Sequence, residues 1–172
     1  MNRHEIALKS LHNGTVIPAN PLALNAKREF DERRQRAIVR YYLDAGVGGL
    51  AVAVHTTQFE IRDPKYNLLE RVLRVAKDEA AKFEERTGKT IVMVAGACGK
   101  TEEAVKEAEL AKSLGYDAVL LSPGGLGQLT EDEMVTAVEA AAALGITKVR
   151  ITGGEPLVKK NILPLCRRIA AV

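Results

Sequence analysis

The chain has 172 residues, of which 47% are hydrophobic and 27% charged, and its formal net charge is +3 at pH 7. This balance is typical of one folded domain with a substantial core and argues against intrinsic disorder. The small net charge, the scarcity of aromatic residues and the lack of Trp disfavour a nucleic-acid partner, and no apolar run of about 18 residues predicts a membrane span.

The first part of the chain predicts a helix, a strand and a longer helix. Residues 4–12 form a short amphipathic pattern that ends before Gly14, and residues 15–19 predict the first strand. A helix is predicted at 31–45, because apolar residues recur there at helical spacing, and Gly46 ends it.

A second strand is predicted within residues 48–60, where an apolar run without helical period ends in a polar cluster. Such a run is typical of a strand covered on both faces, and therefore of a parallel sheet. Ligands of parallel sheets lie beyond the carboxyl ends of the strands. His55, Thr56 and Thr57 follow this strand, so we expect any binding or chemistry there.

The rest of the chain repeats the alternation of helix and strand, with glycine closing most helices. Helices are predicted at 66–86, at 101–114, from Thr130 to Gly145 and after Asn161, and strands at 90–96, 118–121 and 148–152. Thr130 and Glu133 have the spacing of a capping box. Right-handed βαβ units are the expected assembly.

The predicted fold is one α/β domain over residues 1–172, with five βα units in a parallel sheet. A complete (βα)8 TIM barrel needs about 250 residues, so a partial barrel is expected. The alternative is a flavodoxin-like doubly wound sheet, against which Pro18 in a central strand argues. Open sheet edges predict a homodimer, or a monomer whose edges are blunted.

Five short motifs lie in the same order and spacing as in a known family. They are Thr-Val-Ile-Pro at 15–18, Ala-Gly-Val-Gly-Gly-Leu at 45–50, Thr56-Thr57 followed by Glu60, Gly-Ala at 96–97, and Leu-Gly-Tyr-Asp-Ala-Val-Leu-Leu-Ser-Pro at 114–123. With them, residues 1–128 resemble the first four units of the class I aldolase family of dihydrodipicolinate synthase and N-acetylneuraminate lyase. The resemblance implies a lyase that acts on 2-oxo acids such as pyruvate, with Thr56 and Thr57 binding the substrate carboxylate or relaying protons.

A different resemblance begins near residue 129. Thr-Gly-Gly-Glu-Pro at 152–156 follows a predicted strand, within the longer run 144–162. Residues 129–172 thereby resemble a radical S-adenosylmethionine enzyme, the cyclase of molybdenum-cofactor biosynthesis, in which this motif contacts the amino end of the cofactor. Two families that meet at one helix indicate a chimera, and we interpret it as engineered.

The chain lacks the reactive groups of both families that it resembles. The aldolase family uses a Schiff-base lysine at the end of its sixth strand, and this chain has five units; its relay tyrosine would follow Pro123, where Gly124 stands. A cluster-binding CxxxCxxC is absent, because Cys98 and Cys166 are the only cysteines. We therefore predict no catalytic residue, no metal and no cofactor.

What remains is a set of vestigial ligand-binding residues, predicted for a small anion or a 2-oxo acid: Thr56, Thr57, Gly153, Gly154 and Glu155. Lys100, or a lysine of a partner subunit, is the alternative amine if the chain does form a Schiff base. Gly96 to Thr101 lacks the first glycine of a phosphate-binding P-loop. Unpaired cysteines and the polar N-terminus predict a cytoplasmic protein.

Overall fold

The structure is a computed structural model that describes residues 1–122, 130–143, 145, 149 and 160–172. The chain divides into two compact units, Met1–Gly125 and Leu126–Val172. Along the described residues the elements are α1 (Arg3–Asn13), α2 (Glu32–Asp44), β1 (Gly49–Val52), α3 (Leu69–Thr87), β2 (Val92–Ala97), α4 (Thr101–Ser113), β3 (Ala118–Leu121), α5 (Glu131–Ala143) and α6 (Ile162–Ala170).

The helices begin and end where local capping chemistry places them. Asn2 and Glu5 form a capping box at the start of α1, and the Asp31 side chain accepts the Arg34 N–H at the start of α2. Gly88 ends α3 in the left-handed conformation, at φ 70°. The expected helices are thus confirmed, although α3 begins at Leu69 rather than at 66.

The three strands form one parallel sheet in the order β1-β2-β3. Gly49 of β1 pairs with Val92 of β2, and Val94 of β2 pairs with Ala118 of β3. The sheet is not closed within the residues that the structure describes. The predicted strand at 148–152 lies outside those residues, apart from Val149.

The predicted first strand lies beside β1 without forming a regular ladder. Ala51 N–H donates to the Pro18 carbonyl at 3.0 Å, and Asn20 N–H donates to the Ala51 carbonyl at 2.8 Å. The next bridge would require a donor at residue 18, and proline has no N–H. The segment therefore keeps one isolated bridge, between Ala19 and Ala51, and before it the Val16 carbonyl accepts the N–H groups of Gly48 and Gly49 at 3.1 and 3.2 Å.

This arrangement decides between the two predicted sheet orders. The flavodoxin-like order places the first strand between the second and the third, whereas β1 and β2, which are the second and third predicted strands, are direct neighbours. Residues 16–20 lie on the other side of β1. For the part of the sheet that the structure describes, the barrel order is confirmed, and the flavodoxin-like alternative is wrong.

The core of the first unit lies between the sheet and helices α2, α3 and α4. Leu50, Val52 and Met93 of the strands are fully buried there, together with Leu43 of α2 and Leu73 of α3. Gly96 permits the close approach of the loop after β1, since a Cβ at this position would lie 2.3 Å from the Ala53 carbonyl oxygen.

A buried carboxylate joins α2 to α3. The Glu79 side chain is 4% exposed and accepts hydrogen bonds from Arg36 at 3.0 Å, Arg40 at 2.9 Å and Lys82 at 3.1 Å. Burial opposes ionisation of Glu79, but these hydrogen bonds outweigh it and hold the pKa below its ordinary value. The negative charge is therefore retained inside the interface.

Helix α1 is anchored at the amino ends of the strands by Arg3. Its guanidinium donates to Glu84 at 3.0 Å and to Asp117 at 2.7 Å. Asp117 also accepts the Met93 N–H at 2.9 Å, so one carboxylate connects α1 to the start of two strands. The amino-terminal edge of the sheet is thus fixed by charged groups that are already paired.

The second unit contains α5 and α6 among its described residues. The predicted capping box is confirmed, because Thr130 and Glu133 exchange hydrogen bonds at the start of α5. Asn161 precedes α6 in the left-handed conformation, and its side chain forms no capping bond. None of the helices in the described part of the chain is long and apolar enough to cross a membrane.

Candidate functional site

The two predicted threonines at the carboxyl end of β1 have different environments. β1 ends because Ala53 adopts a positive φ of 61°, and His55–Thr57 form one turn of 3-10 helix. The Thr57 side chain is fully buried, and its hydroxyl donates to the Asn20 carbonyl at 2.5 Å. Thr56 and His55 are exposed. Of the pair, only Thr56 presents its hydroxyl to solvent.

Thr57 belongs to a buried polar cluster with Asn20 and Gln35. Gln35 accepts the Ala23 N–H at 2.8 Å and donates to the Asn20 side-chain oxygen at 3.0 Å and to the Pro21 carbonyl at 3.0 Å. These bonds fix the loop that follows the first predicted strand. The Asn20 Nδ2 atom is buried and has no partner among the described residues.

An ion pair between Arg62 and Glu107 joins the loop after β1 to helix α4. Arg62 Nε donates to both Glu107 oxygens, at 2.8 and 3.0 Å, and both side chains are 14% exposed. Arg62 Nη2 donates to the carbonyls of Ala53 and Gly96, at 3.0 and 3.1 Å. We refer to Arg62 and Glu107 as the carboxyl-edge clamp.

Both residues of the carboxyl-edge clamp also affect Cys98. Glu107 accepts the Cys98 N–H at 3.1 Å. Burial raises the pKa of the Cys98 thiol; the positive charge of Arg62 opposes this increase, and the carboxylates of Glu107 and Glu103 add to it. A thiol with a raised pKa is a poor nucleophile near neutral pH, so the position favours a structural cysteine.

The N-terminus of α4 is occupied by the chain's own acid. The Lys100 N–H donates to the Glu103 carboxylate at 3.1 Å. A Cβ on Gly99 would lie 2.3 Å from a Glu103 side-chain oxygen, and Gly99 has a positive φ of 95°. The close contact with Glu103 and the positive φ explain why residue 99 is a glycine, and no bound phosphate is needed for that explanation. Thr101 is the first helical residue, and Lys100 is the N-cap residue.

The lysine side chains do not supply an amine inside the described carboxyl edge. Lys100 is exposed. Burial, reinforced by the charge of Arg3, lowers the pKa of Lys77, while Asp117 and Glu84 oppose this effect. Lys77 Nζ, however, donates to the Gly115 carbonyl at 2.7 Å, at the amino end of β3. Lys77 therefore lies at the edge opposite the candidate site.

The remaining predicted site residues, Gly153, Gly154 and Glu155, lie outside the described residues. Within the described ranges, no group of three His, Cys, Asp or Glu side chains could hold a metal ion. Cys98 and Cys166 are both free thiols and half-buried. The structure thus brings together Thr57, Asn20 and Gln35 around one loop, and Arg62 and Glu107 around the next.

Sequence reasoning did not identify the two polar clusters. Arg62 lies in the loop after β1 and Glu107 lies in α4, and 45 residues separate them in the sequence. Asn20 and Gln35 resemble ordinary loop and helix-surface residues. The only available signal was that Arg62 follows Thr56 and Thr57 closely within the turn after β1.

Comparison with known proteins gives two separate similarities. No protein-family model matches the chain. A stretch of 44 residues is 52% identical to GTP 3',8-cyclase of Lactiplantibacillus plantarum, and it covers 26% of this chain and 13% of the cyclase. The chain therefore spans about an eighth of the length of this relative.

The fold is similar to solved structures of a different kind. A putative dihydrodipicolinate synthetase from Pseudomonas aeruginosa superposes with a TM-score of 0.60 at 19% identity, over 90% of this chain and 51% of that one. N-acetylneuraminate lyase from Fusobacterium nucleatum complexed with pyruvate gives 0.56 at 18% identity, over 92% and 51%. The chain spans about half of each structure. Both resemblances expected from the sequence are confirmed: the barrel-type fold over most of the chain and the cyclase over a short stretch.

Proposed function

We propose that this chain is a catalytically inactive α/β scaffold, engineered by joining an aldolase-type fragment, residues 1–128, to a radical-enzyme fragment, residues 129–172. The observation that carries this proposal is the position of the lysines. In the described part of the chain, Lys100 is exposed at a helix start and Lys77 bonds a carbonyl at the opposite edge of the sheet. A Schiff-base aldolase requires a desolvated amine beside its substrate.

The surroundings of Thr57 support the same conclusion. Its hydroxyl is bonded to the Asn20 carbonyl and is fully buried, so it is not available to a substrate carboxylate. The carboxyl-edge clamp holds the neighbouring loops through Arg62. Both features favour a stabilised loop framework rather than an open active site.

Trapping of an imine tests the aldolase part of the proposal. The full chain is incubated with pyruvate and borohydride, digested, and mapped by mass spectrometry. We expect no modified lysine above the background of a sample without pyruvate. A modified Lys100 that disappears in Lys100→Ala would establish the Schiff-base alternative, and the scaffold proposal would be abandoned.

Iron reconstitution tests the radical-enzyme part. With only two cysteines in the whole chain, a four-iron cluster lacks its three thiolate ligands. Anaerobic reconstitution with iron and sulfide should leave no absorption or paramagnetic signal of such a cluster after desalting. A stable cluster would contradict the proposal and give Gly153, Gly154 and Glu155 a cofactor to contact.

A second candidate function is the binding of pyruvate or another 2-oxo acid without turnover. It is favoured by the exposed Thr56 hydroxyl and by the similar fold of the lyase that was solved with pyruvate. Pyruvate, phosphate and sulfate would be titrated while the Thr56 amide resonance is followed. Specific binding requires shifts with pyruvate that Thr56→Val removes; their absence at millimolar ligand excludes this function.

The proposal extends to self-association and cellular location. Five parallel strands in barrel order leave two open edges, at the predicted first strand and at the strand predicted at 148–152, and pairing with a second copy would cover them. Light scattering should give the mass of two chains, each of 18.6 kDa. Free cysteines support a reducing compartment such as the cytoplasm.

A further inference from the structure

A cavity lies beside two loops, one that follows the first predicted strand and one that follows β1. Its volume is about 250 Å³. This corresponds to roughly eight water molecules and is smaller than the typical site for a drug-sized ligand. Leu22, Leu24, Ile61 and Leu68 give it an apolar lining, and Arg28 and Glu60 add one charge of each sign.

Neither charged group of the cavity has an ion-pair partner among the described residues. Arg28 and Glu60 are exposed and line the same cavity, yet within the described residues no ion pair joins them to each other or to another side chain. A larger cavity of about 420 Å³ between α2 and α3 shows the opposite pattern. There Arg36 and Arg71 pair with Glu32, and Arg74 pairs with Glu70.

Two of the five residues other than glycine that have a positive φ in the described part of the chain line this cavity. Arg28 has a φ of 62° and Gln58 a φ of 76°, which are unusual for residues with a side chain. Arg28 is held by a turn in which Asn25 Oδ1 accepts the N–H groups of Lys27 at 2.8 Å and Glu29 at 3.0 Å. Strain that persists in a well-bonded loop is characteristic of ligand-binding positions.

From this combination we propose that the cavity binds a free α-amino acid with an apolar side chain. Its carboxylate would accept hydrogen bonds from Arg28, its ammonium group would donate to Glu60, and its side chain would contact Leu22, Ile61 and Leu68. A zwitterion matches two opposite charges that remain apart, and an apolar side chain matches the lining. The inference does not depend on the scaffold proposal, because none of these residues belongs to the Thr56 or lysine positions.

The test is a titration of the full chain with L-leucine, followed by the methyl resonances of Leu22, Ile61 and Leu68. We expect saturable shifts at these methyl groups. Three control ligands each lack one group: glycine lacks the apolar side chain, leucinamide lacks the carboxylate, and 4-methylpentanoate lacks the ammonium group. Each should bind at least about tenfold more weakly than leucine, because it loses either one charge-assisted hydrogen bond or the apolar contact.

Two charge-removing variants complete the test. Arg28→Gln and Glu60→Gln should each weaken leucine binding about tenfold, and Arg28→Gln should leave the weak binding of leucinamide unchanged. Arg33→Gln and Glu85→Gln remove exposed charges on helices away from the cavity and should leave leucine binding intact. Absence of methyl shifts, equal binding by 4-methylpentanoate, or equal effects of cavity and control variants would each overturn the proposal.

Discussion

Removal of Arg62 tests whether the carboxyl-edge clamp holds the loops of the candidate site. In Arg62→Ala, the Glu107 carboxylate, 14% exposed, loses its cation, and the carbonyls of Ala53 and Gly96 lose their donor. Breaking one side of a buried ion pair costs roughly 3–5 kcal/mol. Because both side chains retain some contact with water, we expect a loss of about 3 kcal/mol in the free energy of unfolding.

Tyrosine fluorescence during urea denaturation measures this loss in the relevant unit. The chain contains four tyrosines and no Trp, and Tyr41, Tyr42, Tyr66 and Tyr116 all belong to Met1–Gly125. The control is Arg74→Ala, which removes an exposed pair with Glu70 and should cost less than about 0.5 kcal/mol.

A double-mutant cycle then isolates the pair itself. Arg62→Met combined with Glu107→Leu should cost clearly less than the sum of the two single changes, because neither charge is left without its partner. If Arg62→Ala cost no more than Arg74→Ala, the clamp would have no role in stability. If the two single effects simply added, Arg62 and Glu107 would not stabilise the fold as a pair.

Three further substitutions follow from individual contacts. Thr57→Val should lower the free energy of unfolding by about 1–2 kcal/mol through loss of the bond to Asn20, whereas Thr56→Val should leave it unchanged; equal effects in urea denaturation would contradict the assignment. Tyr116→Phe should cost about 1 kcal/mol, because the buried hydroxyl donates to the Leu73 carbonyl at 2.9 Å; a neutral change would show that the bond contributes nothing. Glu79→Gln should lower the free energy of unfolding by about 2 kcal/mol at pH 7. Because the pKa of Glu79 is lowered in the folded state, the difference in stability between the variant and the unchanged chain should shrink as the pH falls below about 4. A constant difference across a pH series of denaturation curves would refute this pH dependence.

Much of the fold was predictable because its signals are local. Capping residues and glycines define the helices, and the apolar runs define β1, β2 and β3. The errors occur where a backbone detail overrides the pattern. Pro18 prevents a regular first strand by removing a donor, and the left-handed Asn67, at φ 46°, delays the start of α3.

The candidate site was less predictable because its contacts join distant residues. The sequence drew attention to Thr56 and Thr57 equally, yet only tertiary packing buries one hydroxyl against Asn20 and leaves the other exposed. The ion pair of Arg62 with Glu107 depends on where α4 packs on β2. No local spacing encodes such pairs, so they appear only once the sheet order is known.

Intact-mass spectrometry after treatment with pyruvate and borohydride tests the central claim most directly. The protein should be folded and kept at neutral pH, and an aldolase of the family serves as a positive control for trapping. Because no desolvated amine lies at the carboxyl edge among the residues that the structure describes, we predict an unchanged mass for this chain while the control gains one reduced pyruvate. A stoichiometric gain of one reduced pyruvate by this chain would contradict the claim that it lacks a Schiff-base site.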